Sequence, residues 1–272
     1  MQIESVDAII RRISGAISNP EQTAIAFDAD GTLWTGDLAE DYFFAFLERG
    51  SMKREALDGA RALCTQYGLS AEGGAGELGR RLFDSYIEGH LPESLVTEFI
   101  AWIHAGAPID EASEFARDVA HHVGLKERLQ AEVTAVFSWA IEQKLRVFVV
   151  SASPRHVVEQ GLECIGRTDN VELIATTARV DGDRRVMADV ERPIPYADGK
   201  AILLKQAIGD MNLCAAFGDN VFDIAMLQAA KVPVAVRPKK RLLDRIVEIP
   251  SLIEIAQCPN LKKKVDQRGS GP

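Results

Sequence analysis

Asp28 and Asp30 close an apolar run in the stretch TAIAFDADGTLWTGD, residues 23–37. Carboxylates at the end of a buried strand are costly unless something compensates them. A metal ion, a chemical role or solvent at the strand's end could each do so. A second apolar run, LCAAF, ends in a similar way, in Gly218, Asp219 and Asn220, with Asp223 following. If a helix starts there, Asp219 and Asp223 lie on neighbouring turns and face one crevice. Four aspartates, Asp28, Asp30, Asp219 and Asp223, are then expected to converge on one point. Such a cluster calls for a hard cation, and carboxylate oxygens with retained waters suit Mg²⁺. A third run, RVFVV, leads into Ser151-Ala152-Ser153. A hydroxyl and free main-chain N–H groups there can bind an anionic oxygen. Lys200, ahead of another helical pattern, can add a fixed positive charge. Together these are the parts for phosphoryl transfer: a carboxylate attacks, a neighbouring carboxyl shuttles protons, and cations neutralise the phosphoryl oxygens.

Positioning these residues requires strands that end side by side. AIAF, RVFVV, VELIAT, LCAAF and VPVAV are short, apolar and rich in β-branched or aromatic residues, and helical patterns such as PRHVVEQGLECIG and DIAMLQAAK separate most of them. Alternating strands and helices predict an α/β fold, a doubly wound, Rossmann-like parallel sheet covered on both faces. Ligands of such sheets bind beyond the carboxyl ends of the strands, near the topological switch point. Residues from about 37 to 144 break the alternation with amphipathic helical patterns and no convincing strand. The economical reading is an inserted all-helical cap over 37–124, with the catalytic core formed by 1–36 and 125–272. Gly73, Gly74 and Gly76 follow no strand and read as a turn rather than a phosphate cradle. Asp181-Gly182, between short alternating runs, predicts a hairpin. The N-terminal MQIESVDAIIRRISG reads as an amphipathic helix, and LKKKVDQRGSGP at the other end as a solvated tail.

With these motifs in order, the chain resembles the haloacid dehalogenase superfamily, in particular its metal-dependent phosphatases with a helical cap and, among them, the phosphoserine-phosphatase-like branch. The resemblance rests on DADGT at 28–32, Ser151, Lys200 and GDNVFD at 218–223, and covers about two thirds of the chain. It implies that Asp28 is a nucleophile forming an aspartyl-phosphate. Asp30 would protonate the leaving oxygen and then activate water. Mg²⁺ would be held by Asp28, the main-chain carbonyl of Asp30 and Asp219, with Asp223 in support and Asn220 beside it. Ser151 and Lys200 would grip the phosphoryl group, aided by N–H groups near Gly31, Thr32 and Ala152. Dehalogenating members lack the second aspartate and the metal, so Asp30 argues against that chemistry. The implied activity is hydrolysis of a small-molecule phosphate monoester, phosphoserine among the possibilities. Transfer to an alcohol and non-catalytic sensing are the alternatives. The glutamate and the cap arginine with which phosphoserine phosphatases hold their substrate have no clear match among Asp37, Glu40, Asp41, Arg61, Arg80 and Arg81.

The rest of the sequence sets bounds. The 272 residues can form one large or two smaller domains, and 47% hydrophobic with 26% charged residues is ordinary for a soluble protein. A net charge of −9 opposes broad contact with nucleic acid. The absence of a long apolar block predicts no membrane span. Four scattered cysteines predict reduced thiols in a cytoplasmic protein. An EF-hand reading of residues 28–40 fails, because the glycine comes two positions too early. His121-His122 and RPKKR at 237–241 read as solvated, whereas Trp102, Trp139 and Tyr42-Phe43-Phe44 read as core. Arg155 and His156, by position, are candidates to face the substrate.

Overall fold

In the computed structural model, which describes residues 1–49, 51–166, 168 and 170–258, the apolar run ahead of Asp28 lies inside a parallel sheet of seven strands. The chain begins with β1 (Gln2–Glu4), α1 (Val6–Ala16) and β2 (Thr23–Phe27). Seven helices follow: α2 (Leu38–Arg49), α3 (Arg54–Gln66), α4 (Ala75–Ile87), α5 (Glu93–Trp102), α6 (Ile109–His122), α7 (Leu125–Arg128) and α8 (Ala131–Glu142). Alternation then resumes with β3 (Arg146–Pro154), α9 (Arg155–Ile165) and β4 (Val171–Thr176). A hairpin of β5 (Ala178–Val180) and β6 (Val186–Val190) leads to α10 (Asp198–Ile208), β7 (Asn212–Gly218), α11 (Ile224–Ala229), β8 (Val232–Ala235), α12 (Lys240–Leu243) and β9 (Ile253–Ile255).

The strand order is β1-β9-β8-β7-β2-β3-β4, with every pairing parallel. This is the α/β architecture expected. All of β2 is buried, as a strand covered on both faces must be. Phe27 stacks on Phe217 of β7 at 4.6 Å between ring centroids and meets Phe137 of α8 edge-on at 5.2 Å. Because β7, β2 and β3 are neighbours, Gly218, Asp28 and Ser151 emerge side by side.

Two strands escaped the sequence reading. β1 lies in the segment read as helix, which starts only at Val6 behind the cap of Ser5, and β9 received no assignment. Each has three residues, too few for a periodicity; among the described residues β1 pairs only with β9, across the length of the chain, and β9 lies between β1 and β8. The expected hairpin is present, with Asp181 Oδ1 accepting from the main-chain N–H groups of Asp183 and Arg185. All four cysteines are unpaired. The tail LKKKVDQRGSGP lies outside the described residues. Among the described residues, no helix is long and apolar enough to cross a membrane.

The inserted helices do not form a layer alone. The hairpin joins them: Gly106 N–H donates to the Val186 carbonyl at 2.8 Å and Val186 N–H to the Ala107 carbonyl at 2.9 Å. One apolar cluster runs from Ile25 and Phe27 of the sheet into Phe43, Phe46 and Phe99 of the insert. The incoming and outgoing segments also pair. Thr35 N–H donates to the Arg128 carbonyl and Gln130 N–H to that of Leu33, both at 2.9 Å. Arg128 adds an ion pair to Asp41 at 2.5 Å.

The insert is tied down again by the buried His156 of α9, whose Nε2 meets the Tyr42 hydroxyl of α2 at 2.9 Å. Burial lowers the His156 imidazole to about 4, and His104, packed on Phe46, to about 3. Both are neutral in the fold, whereas an unfolded histidine takes a proton near pH 6.5. The stability these two histidines contribute is therefore full above about pH 6.5 and falls as the pH drops below it. At pH 5 each group costs about 2 kcal/mol relative to pH 7. Denaturant unfolding of wild type and His156→Gln at the two pH values is expected to show the change from pH 7 to pH 5 less unfavourable in the variant by about 2 kcal/mol. An undiminished loss in His156→Gln would assign the acid sensitivity elsewhere.

Candidate active site

Asp28 follows β2 directly, and its N–H continues the ladder to the Phe217 carbonyl at 2.9 Å. Its carboxylate is buried and fully engaged: Oδ1 accepts from Lys200 Nζ at 2.6 Å and Oδ2 from Thr32 Oγ1 at 2.8 Å. The same Lys200 ammonium donates to Asp223 Oδ1 at 2.6 Å. The other oxygen of Asp223 accepts from the N–H groups of Asp219, at 3.1 Å, and Asn220, at 3.0 Å, and so shapes the turn after β7. That turn needs a glycine at 218, where a Cβ would stand 2.6 Å from the Asp223 side chain. Gly31 is equally constrained: φ is +81° and a Cβ would lie 2.1 Å from Asp219 Oδ2.

Asp28, Asp219 and Asp223 are all buried and offer carboxylate oxygens within 4.8 Å of one another. The electrostatics of the group is short of positive charge. Burial pushes Asp28 up to about 8 in spite of Lys200, because that one ammonium also serves Asp223. Burial and the charge of Asp223 push Asp219 up to about 6. Lys200, held by two carboxylates, is raised although burial opposes its charge. Three buried carboxylates, two of them sharing one buried ammonium and all of them oxygen donors, fit a hard divalent cation.

Three of the four aspartates thus come together, and the fourth corrects the expectation. The Asp30 carboxylate lies outside this group. Its Oδ1 accepts from Trp34 Nε1 and from Leu38 N–H, both at 2.7 Å, and its Oδ2 from Ser153 Oγ at 2.6 Å. What remains of Asp30 for a metal is its main-chain carbonyl. A second correction concerns the phosphoryl cradle. Gly31 N–H donates to the Trp34 carbonyl at 2.9 Å and Thr32 N–H to the Ala29 carbonyl at 3.1 Å. The turn from Ala29 to Trp34 engages both of those donors. Ser151 is buried at the end of β3, and its Oγ accepts from Ser153 N–H at 3.1 Å, which leaves its own O–H to donate. The Ala152 carbonyl accepts from Thr176 Oγ1 at 2.6 Å, fixing the strand end.

Beside Ala152 and Ser153 lies a cavity of about 100 Å³, lined also by Asp37, Glu40, Tyr86 and Glu93 of the insert. Burial raises Glu40 and Glu93, and burial with the charge of Asp30 raises Asp37. Arg61, Arg80 and Arg81 are absent from its lining. Arg61 reaches Asp58 at 3.7 Å, Arg80 covers the Phe44 ring and Arg81 donates to the carbonyls of Ser70 and Glu72. Arg155 turns to Thr177 Oγ1 and the Leu173 carbonyl, and His156 to Tyr42, so neither faces the site. His121 and His122 are exposed, as expected. Two contributors went unread: Gln130, whose Nε2 donates to the Gly31 carbonyl at 2.5 Å, and Lys239, whose Nζ lies 2.9 Å from Asp219 Oδ2.

The profile of the haloacid dehalogenase-like hydrolases matches residues 25–228, three quarters of the chain and every residue of this cluster. The chain belongs to that family. No curated protein matches it. Among solved structures, this haloacid dehalogenase-like hydrolase shares its fold with a protein of unknown function from Bordetella pertussis Tohama I, at a TM-score of 0.65 and 22% identity over 87% of this chain and 99% of that one. It also shares it with a substrate-bound phosphoserine phosphatase, at 0.52 and 16% over 90% and 97%. A cytosolic 5'-nucleotidase IIIB bound to cytidine gives 0.53 and 11% over 94% and 87%.

Proposed function

We propose that the protein is a Mg²⁺-dependent phosphomonoesterase that hydrolyses a small phosphorylated metabolite through an aspartyl-phosphate on Asp28. The observation that carries the reading is the placement of Asp28, a buried carboxylate at the end of the interior strand β2, 2.6 Å from Lys200 and within metal-ligand reach of Asp219 and Asp223. When bound there, Mg²⁺ would supply charge for the phosphoryl oxygens and keep Asp28 ionised. Asp28, Asp219 and the Asp30 carbonyl would hold it, with Asp223 in support.

In the first step an oxygen of Asp28 forms the bond to phosphorus as the ester P–O bond breaks. Asp30, oriented by Trp34, Leu38 and Ser153, gives its proton to the departing oxygen. In the second step Asp30 takes a proton from water, whose oxygen attacks phosphorus and returns Asp28 to a carboxylate. Lys200 and the Ser151 hydroxyl bind the phosphoryl oxygens throughout. The insert, over 37–124, would act as the cap: it walls the cavity beside Ser153 and meets the leaving group there.

The test is phosphate release from an aryl phosphate and from a panel of phosphomonoesters that includes phosphoserine and nucleoside monophosphates. Hydrolysis is expected with Mg²⁺, with a loss of ~100-fold or more on chelation and inhibition by excess Ca²⁺, whose larger shell can draw in both oxygens of Asp28. Undiminished turnover after exhaustive chelation would sink the metal reading, and release from none of the panel would sink the phosphatase.

A further inference from the structure

Two lysines reach the carboxylate group, and they are held differently. Lys200 is 5% exposed and locked between Asp28 and Asp223. The Lys239 side chain is 56% exposed and bonds to the site through one atom, Asp219 Oδ2, at 2.9 Å. That oxygen is the one against the nucleophile's loop, since it is the atom a Cβ on Gly31 would strike. Asp219 is one of the three clustered carboxylates that would hold the cation, so Lys239 and the metal would draw on the same side chain.

The segment carrying Lys239 is fixed around the same turn. Val236 N–H donates to the Gly218 carbonyl at 2.9 Å and Lys239 N–H to the Asp219 carbonyl at 2.8 Å. Between them Arg237 adopts φ +44°, a left-handed conformation that a non-glycine residue keeps only under restraint. The restraint is Arg237 Nη2 donating at 2.7 Å to Glu132 Oε1, a carboxylate 1% exposed at the start of α8. The main chain of Lys239 is thus pinned, while its side chain is half-exposed and tied at a single atom. Asp37, Glu40 and Glu93 at the cavity all feel its charge, so an ammonium leaving Asp219 has acidic neighbours to receive it.

Building on the metal reading above, we propose that Lys239 is a displaceable counter-cation that shares Asp219 with the metal, so that Lys239–Asp219 pairing and metal binding oppose each other. A divalent cation and an ammonium on one carboxylate repel, and the half-exposed, singly held ammonium is the one that yields. The arrangement sets metal affinity below what the carboxylates alone would give.

Calorimetric Mg²⁺ titrations of wild type, Lys239→Met and Lys240→Met test this. Lys240 carries the same charge one residue on, but its Nζ pairs with Asp244 at 2.7 Å on the surface. Lys239→Met is expected to bind Mg²⁺ about tenfold more tightly and Lys240→Met within about twofold of wild type. Without Mg²⁺, Lys239→Met is also expected to melt lower than wild type, and Mg²⁺ to close the gap. Equal affinity of wild type and Lys239→Met, weaker binding by that variant, or the same gain in both variants overturns the proposal alone. Mg²⁺ binding to none of the three proteins overturns the metal reading and the proposal with it.

Discussion

Asp28→Asn is expected to abolish phosphate release, by ~10⁴-fold or more in kcat, while the fold stays intact. The amide has the size of the carboxylate, and both existing bonds can be kept. Oδ1 can face the Lys200 ammonium, and Nδ2 can donate to a Thr32 hydroxyl that rotates to accept. What is lost is the anionic oxygen proposed to attack phosphorus. Removing one carboxylate also eases the shortage of positive charge in the group. Asp28 is raised to about 8 by burial, so its contribution is full below pH 4 and is lost as the pH rises through about 8. The asparagine variant is free of that loss and is expected to melt no lower than wild type near neutral pH in the absence of metal. Rapid-quench measurement with an aryl phosphate would show no phosphoenzyme. Turnover surviving at more than about a hundredth of wild type, with deamidation excluded by mass, would move the nucleophile elsewhere.

How much of this site the sequence carries depends on how local each arrangement is. The meeting of Asp28, Asp219, Asp223 and Lys200 was legible because each follows a buried strand or opens a helix, and because neighbouring parallel strands end on one edge. Their convergence is a property of topology, and the alternation of strands and helices predicts topology. The roles of Asp30 and of the DADGT amides were legible only in part. The carboxylate of Asp30 is fixed by Ser153, 123 residues away, and by Trp34 and Leu38, and no pattern of apolar spacing encodes those bonds. The amides of Gly31 and Thr32 are spent inside their own turn, which depends on main-chain angles rather than residue types. Lys239 was hidden for a plainer reason. Within RPKKR its charge looks like its neighbours', yet Arg237 is drawn to the buried Glu132, Lys240 stays with Asp244, and only Lys239 turns to Asp219. The hairpin was readable from Asp181-Gly182, but its docking on residues 106–109 was not, so a layer expected to be helical carries strands as well.

Lys200→Met is the change expected to cost both stability and activity most heavily. The methionine fills similar volume, so the loss is electrostatic rather than a cavity. Lys200 donates at 2.6 Å to Asp28 and at 2.6 Å to Asp223, and all three side chains are almost fully buried. Taking away the shared partner leaves two buried carboxylates facing each other, and such breakage of a buried ionic group costs about 3–5 kcal/mol. The protein can relieve part of that cost by protonating Asp28, which burial already pushes upward, and a protonated Asp28 is no nucleophile. On the proposed mechanism activity is then lost twice over, through the charge of Asp28 and through the cation assigned to the phosphoryl oxygens, for a fall in kcat of ~10³-fold or more. Asp223 has a second duty, because its Oδ2 shapes the turn that presents Asp219. Adding Mg²⁺ is expected to restore stability more than activity, since a divalent cation replaces the missing charge without replacing the donor to the phosphoryl group. Urea unfolding with and without Mg²⁺, alongside kcat on the same preparations, separates the two effects. A variant that unfolds at the wild-type midpoint without metal would show that the Lys200 bridge contributes nothing net to the fold. Wild-type turnover in that variant would remove Lys200 from the phosphoryl site.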